Sequence, residues 1–199
     1  MCATGTGLLC ESGRIYFIQP DGHVDYLDNG GAMQVDGKCS PDRKRYAWLD
    51  FRDPPGPTST YDFNRNGGEV YMRDLGTGVT HRLTFDSPSD PMGKVDPAVG
   101  KDVAVWNEPD DGMPRNPPEL SALYDSSDTL AKLDLKTGER CRLHRPMPIG
   151  HKLVYGHHMY AVWLDHQDNT DYLIDLDLDD PGLHWTCQST PGWPAGGVQ

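Results

Sequence analysis

EVYMRDLGTGVTHRLT, residues 69–84, reads as one unit: a β-prone run, an Asp-Leu-Gly-Thr-Gly turn, and a short strand carrying Arg82, Leu83 and Thr84. Asp and Gly suit a turn for different reasons. The Asp carboxylate accepts hydrogen bonds from its own turn, and Gly takes positive φ without a steric penalty. The unit returns as TLAKLDLKTGERCRLH at 129–144. RIYFIQPDGHVDYLD (14–28) fits it with Pro20-Asp21-Gly22 at the turn, and YLIDLDLDDPGLHWTC (172–187) fits it with Asp180-Pro181-Gly182. A stretch that recurs is a building unit, and the repeat decides the architecture before any single element does.

A second series interleaves with the first: RYAWLDF (45–51), DVAVWNE (102–108) and MYAVWLDH (159–166). Trp48, Trp106 and Trp163 lie 58 and 57 residues apart, and each is followed two residues later by an acid: Asp50, Glu108 and Asp165. Two long insertions separate the series, RDPPGPTSTYDFNRNGG (52–68) and PDDGMPRNPPELSALYDSS (109–127). Without them the period is about 40 residues, the length of a four-stranded propeller blade. CSPDRKRYAWLD (39–50) is then the turn between the first and second strands of a blade.

The expected fold is all-β, a β-propeller of about four four-stranded blades, either a four-bladed ring or part of a larger propeller. One domain covers 1–199. Blade one spans about 6–31, with strands near 6–10, 14–19 and 23–27, and 192–199 (GWPAGGVQ) is the candidate closing strand. Blade two spans about 32–92, through 32–40, 45–51, 69–75 and 79–84. Blade three spans about 93–149, through 95–99, 102–108, 129–135 and 139–143. Blade four spans about 150–190, through 151–156, 158–165, 171–178 and 183–188. No useful stretch carries the 3.6-residue period of a helix.

Bulk properties narrow the function. Of 199 residues, 22 are Gly and 17 are Pro, which suits a turn-rich β protein. The net charge of −12 disfavours nucleic acid and anionic membranes as partners and favours a cation, a basic protein patch or a neutral glycan. No apolar run is long enough to span a membrane, and MCATGTGLLC lacks the basic and apolar regions of a signal peptide. Cys2, Cys10, Cys39, Cys141 and Cys187 are odd in number and form no C-x-x-C, which disfavours zinc. Buried free thiols are the preferred reading, with one or two disulfides left open.

With the residues laid out, the chain resembles the TolB-like β-propeller repeats. Ser40-Pro41-Asp42 with Lys44, Tyr46-Ala47-Trp48, Val70-Tyr71, Asp74-Leu75-Gly76-Thr77-Gly78 and Arg82-Leu83-Thr84 match that repeat in order. Arg43 stands where the family has Gly, and the third and fourth blades lack the Ser-Pro-Asp turn. The resemblance implies a propeller and an extracytoplasmic setting: periplasm, cell surface or extracellular space. It implies no single activity, because these repeats occur in several functional contexts.

Antiparallel order places both insertions, the inter-blade loops and the acids after the Trp strands at one end. That end is the candidate binding face: Glu11, Asp50, Asp53, Tyr61, Asp62, Phe63, Glu108, Asp110, Asp111, Tyr124, Asp125, Asp165, Asp168 and Asp171. Such a carboxylate-rich mouth fits a basic partner or Ca²⁺, with Asp165, Asp168 and Asp171 as the candidate calcium ligands. Each acid capping a turn or pairing with a nearby base is the structural alternative. Trp48, Trp106 and Trp163 are assigned to the blade core. Asp175, Asp177 and Asp179 read as a solvated strand face, and Trp193 as the more exposed tryptophan. His157 and His158, adjacent in a strand, point to opposite faces and do not share an ion.

No catalytic constellation is assigned and no resident cofactor is expected. The leading reading is a non-catalytic binding or scaffold module that engages a protein partner or its own copies through the insertion-bearing face. A structural subunit of an extracellular or envelope assembly is the first alternative. A glycan-binding or lyase-like propeller associated with an enzyme is the second.

Overall fold

A computed structural model describes residues 7–11, 14–18, 21–26, 34–50, 68–85, 94–109, 128–146, 151–165 and 170–198. Among these, every regular element is a strand: β1 Gly7–Glu11, β2 Arg14–Ile18, β3 Val24–Tyr26, β4 Gln34–Cys39, β5 Arg45–Asp50, β6 Glu69–Asp74, β7 Thr80–Arg82, β8 Val95–Val99, β9 Val103–Pro109, β10 Asp128–Asp134, β11 Glu139–Pro146, β12 His151–Tyr155, β13 His158–Asp165, β14 Thr170–Asp177 and β15 Trp185–Ser189. They form antiparallel sheets with the orders β1-β2-β3, β4-β5-β6-β7, β8-β9-β10-β11-β15 and β12-β13-β14, here called sheets one to four. Sheet one meets sheet two through β2 and β4. Sheet two meets sheet three through β4, β5 and β8, and sheet three meets sheet four through β8, β9 and β12.

The recurring turns share one chemistry. Asp74 Oδ1 accepts from Thr77 N at 2.6 Å and Thr77 Oγ1 at 2.8 Å. Gly78, at φ 74°, donates its N–H to the Asp74 carbonyl at 2.9 Å. The β10–β11 turn repeats this. Asp134 Oδ1 accepts from Lys136 N at 2.8 Å and Thr137 N at 2.7 Å, and Gly138 sits at φ 74°. Asp thus satisfies the turn amides while Gly supplies the left-handed residue.

The Ser40-Pro41-Asp42 turn is equally defined. Ser40 Oγ donates to Asp42 Oδ1 at 2.6 Å and accepts from Arg45 N at 2.9 Å, and Asp42 Oδ1 accepts from Lys44 N at 3.1 Å. Arg43 adopts φ 62°, the conformation a glycine supplies most readily. The turn is therefore made with an arginine at its left-handed position.

Strand alternation builds the core between the sheets. Ala47, Leu49, Val70 and Met72 of sheet two meet Val99, Ala104, Trp106, Ala131 and Leu133 of sheet three. The other face of sheet three, through Ala98, Val103, Val105 and Leu130, meets Val154, Met159, Ala161 and Leu176 of sheet four. The remaining face of sheet two carries Tyr46, Trp48 and Tyr71, whose rings stack with centroids 5.9 Å apart in each successive pair.

Two strand assignments need correction. Residues 183–188, expected to complete the fourth sheet, lie instead at the edge of sheet three. There β15 pairs with β11, with Cys141 opposite Cys187. The physical reason lies in the connection. Successive turns (Asp180 N to Asp177 O, Leu183 N to Asp180 O) carry the chain away from β14, and Leu178, Leu183 and Trp185 pack between sheets three and four.

The tail also differs from expectation. Residues 192–198 form no strand in sheet one and fold back on sheet three, where Val198 N donates to the Leu135 carbonyl at 2.9 Å. Trp193, read as the more exposed tryptophan, is partly buried where Trp48 and Trp106 are fully so, and packs on the core over Gly138. A Cβ on that glycine would lie 2.1 Å from Trp193 Cγ.

The cysteine expectation is overturned as well. Cys141 and Cys187 form a disulfide, and Cys39 is disulfide-bonded too.

Candidate functional site

The strand ends locate the loop-bearing end. Asp50 pairs in register with Glu69, Pro109 with Asp128 and Asp165 with Thr170, so the connections 51–68, 110–127 and 166–169 leave corresponding hairpins. The opposite ends of the hairpins lie together. Arg45 Nη1 donates to the Gly100 carbonyl at 3.2 Å, and Gly100 abuts Val154. The two 18-residue connections therefore issue from the same end of adjacent sheets.

Beneath that end the acids turn inward. Trp48 and Trp106 are fully buried, and so are Asp50 and Glu108. Trp48 Nε1 donates to Asp50 Oδ2 at 3.0 Å, and Gln34 Nε2 donates to the same oxygen at 3.1 Å. Trp106 Nε1 donates to Glu108 Oε2 at 2.8 Å. Arg140 Nη2 reaches that oxygen at 2.5 Å, and Arg142 Nε reaches Oε1 at 2.8 Å. Burial acts to raise the Glu108 carboxyl, but Arg140, Arg142 and the indole N–H outweigh it and hold it below the ordinary glutamate range. Asp50 and Glu108 thus brace the loop bases from inside and present no carboxylate to solvent.

The sequence contained a signal for this. Residues two apart in a strand share a face, so an acid two residues after a buried Trp is directed to the Trp's side.

The other candidate residues divide by location. Glu11 and Asp165 end β1 and β13, and Asp171 lies in β14 opposite Leu164. The side chains of these three and of Trp163 lie outside the described residues, as do Asp53, Tyr61, Asp62, Phe63, Asp110, Asp111, Tyr124, Asp125 and Asp168 entirely. Asp175, Asp177 and Asp179 are exposed as expected, while Leu176 and Leu178 between them are buried. His157 Nδ1 meets Asp179 Oδ2 at 2.7 Å, and His158 Nδ1 meets Asp175 Oδ1 at 3.0 Å, so each imidazole has its own carboxylate. Among the described residues, Glu139, Cys141 and Cys187 have metal-ligand spacing, but their sulfurs are bonded to each other.

Charge clusters that the sequence reading missed lie on the inner side of the sheets. Asp96 of β8 forms ion pairs with Lys38 of β4 and with Lys152 of β12, the latter at 3.1 Å. Glu69 takes Arg82 at 3.0 Å and Lys94 at 3.4 Å, and accepts a short hydrogen bond from Thr84 Oγ1. Lys94 and Lys152 are buried. The signal was one lysine beside or within each inner strand: Lys38, Lys94 and Lys152. These groups link one sheet to the next.

Among the described residues no helix is long and apolar enough to cross a membrane. No protein-family model matches the chain, and no curated protein does. Among solved structures it is similar to TolB from Acinetobacter baumannii, with 13% identity and a TM-score of 0.54 over 89% of this chain and 40% of that one. The chain therefore spans about two-fifths of the TolB chain's length, and at this identity the likeness is one of fold. It is an all-β protein of antiparallel sheets with a distant, TolB-like structural resemblance.

Proposed function

We propose that the chain is a non-catalytic β-propeller-type scaffold whose four sheets act as consecutive blades and whose insertion-bearing end binds a protein partner. The observation that carries this is the pairing of two long connections, 51–68 and 110–127, with an internally braced base. Variable loops on a rigid scaffold are the usual arrangement for recognition. The acids of these connections, Asp53, Asp62, Asp110, Asp111 and Asp125, favour a basic patch on that partner. Asp165, Asp168 and Asp171 remain the proposed calcium ligands at the same end.

The test is to replace 51–68 and 110–127 by short Gly-Ser turns and compare both proteins in proximity labelling and unfolding. The reading expects unchanged unfolding with loss of a basic protein captured by the wild type. Equal capture by both proteins would sink it. Repeating the capture with calcium chelated tests the acidic trio.

The disulfide-bonded Cys39, Cys141 and Cys187 favour the second reading, a structural subunit of an extracellular or envelope assembly, because disulfides persist in oxidising compartments.

A further inference from the structure

The metal-ligand spacing of Glu139, Cys141 and Cys187 follows from strand register. β11 and β15 run antiparallel, with Glu139 opposite Ser189, Cys141 opposite Cys187 and Leu143 opposite Trp185. Opposed residues, and those two apart along a strand, stand on one face of the sheet. Glu139, Cys141 and Cys187 therefore share a face, and a carboxylate oxygen and the two sulfurs lie within 4.8 Å of one another. The cysteines are 46 residues apart in the sequence. A C-x-x-C pair is local, whereas this pair is assembled by two strands, so its donor set is invisible in the spacing of the cysteines.

We propose that these three residues bind zinc when the disulfide is reduced. The edge of sheet three then carries two interchangeable clasps, a disulfide in oxidising surroundings and a thiolate-bound ion in reducing ones. A dithiol reductant supplies the two electrons and two protons. Its thiolate attacks the sulfur of exposed Cys187, and Cys141 leaves as a thiolate. The reductant's second thiol then displaces Cys187 and departs within its own disulfide, leaving two protein thiols. Zinc releases both thiol protons to solvent as it binds.

The donors suit this ion. Two thiolates and one carboxylate supply three of the four tetrahedral positions, and water fills the fourth. The thiolates select against magnesium and calcium, and the carboxylate selects against copper(I), which prefers sulfur. Thiolates on a tetrahedral zinc, with bonds of about 2.3 Å, are about 3.8 Å apart. The Cα atoms of the pair are 4.0 Å apart, so rotation about the Cα–Cβ bonds gives that separation while the strands stay paired. Cys141 is buried, whereas Cys187 and Glu139 are exposed, which leaves the ion a way in from solvent. Lys132, beside Cys141 across β10, is engaged by the Leu178 carbonyl at 2.5 Å and by Asp179 at 3.7 Å. With 186–189 exposed, β15 has few apolar contacts beyond Trp185, so a link at its middle matters in either redox state.

The test is an anaerobic titration of the full chain, reduced by a phosphine that is then removed, with Co²⁺ as the optical probe and Zn²⁺ as the competitor. The expected result is one ion per chain and a thiolate-to-cobalt charge-transfer band that zinc abolishes. The oxidised protein should show no band. Cys187→Ser should lose the band, and Glu139→Gln should weaken zinc by at least about tenfold, both with unchanged circular dichroism. Zinc should also return the hydrogen-exchange protection of β15 in the reduced protein to its oxidised level. If reduction unfolds the chain, zinc must restore the folded spectrum, and failure to do so would overturn the inference. Reduction opens the Cys39 disulfide as well, so an undiminished band in Cys187→Ser would put the ion on other cysteines and overturn it. A reduced protein that binds no zinc, an affinity indifferent to Glu139→Gln, or binding of copper(I) without zinc would each overturn it too.

Discussion

Arg43 at φ 62° holds a conformation that costs an L-residue with a Cβ about 1–2 kcal/mol. Glycine removes that cost but loses about 0.4–1 kcal/mol through a freer unfolded chain. Arg43→Gly is therefore expected to stabilise the protein by about 0.5 kcal/mol, read as a higher urea midpoint with unchanged m-value. Glu108 gives a larger effect of opposite sign. It is buried against Arg140 and Arg142, so Glu108→Gln leaves two guanidinium groups facing an amide. A loss of about 3 kcal/mol is expected, the lower end for breaking a buried pair. Its pH dependence follows from the depressed folded pKa. The stabilisation is complete above the unfolded glutamate value and is lost as pH falls through the folded one. Urea unfolding at stepped pH should show the gap between wild type and variant closing on the acid side. At this scale the turns were legible, since Asp74, Thr77 and Gly78 interact within five residues. The inward side of Glu108 was legible from Trp106, but its partners were not, because Arg140 and Arg142 come from a strand more than thirty residues away.

At the scale of the element, β15 is the instructive strand. DDPG at 179–182 has the composition of a hairpin turn, and local reading pairs β15 with β14. The chain pairs it with β11 instead, because the contacts that decide are non-local. Lys132 caps the Leu178 carbonyl and lies over Trp185, and Cys187 faces Cys141. The number and position of the other strands in sheets two and three were readable, since each carries its own alternation and turn. The partner of an edge strand is not encoded in its own residues. The Cys141–Cys187 bridge closes a span of 46 residues, for which loop-closure entropy alone gives about 4 kcal/mol. Cys141→Ala combined with Cys187→Ser is expected to lower stability by about 2–4 kcal/mol. Hydrogen exchange should show lost protection in β15 and around Val198 first, while sheet two stays protected. Uniform loss over all sheets would mean that the bridge holds the whole array and not this edge.

For the whole molecule, the question is what makes stacked sheets unfold as one body. Repeated units that contact only their neighbours are coupled through their interfaces, and cooperativity is only as strong as the weakest of these. Apolar packing joins sheets two, three and four, and Asp96 adds an ionic tie to both outer members, through Lys38 and Lys152. Its φ of 58° is one that Asn also tolerates, so Asp96→Asn keeps the backbone while removing the charge. Lys152, 4% exposed, would then face a neutral amide. A loss of about 3 kcal/mol is expected. The sharper consequence is in the shape of the transition. If Asp96 couples the sheets, the variant should unfold in two steps or with a lower m-value, and tryptophan fluorescence and far-ultraviolet circular dichroism should no longer coincide. A single coincident transition displaced to lower urea would assign the coupling to the apolar interfaces and leave the ion pairs a purely local role. The inner lysines would then matter for which sheet sits next to which, and not for how firmly the series is held.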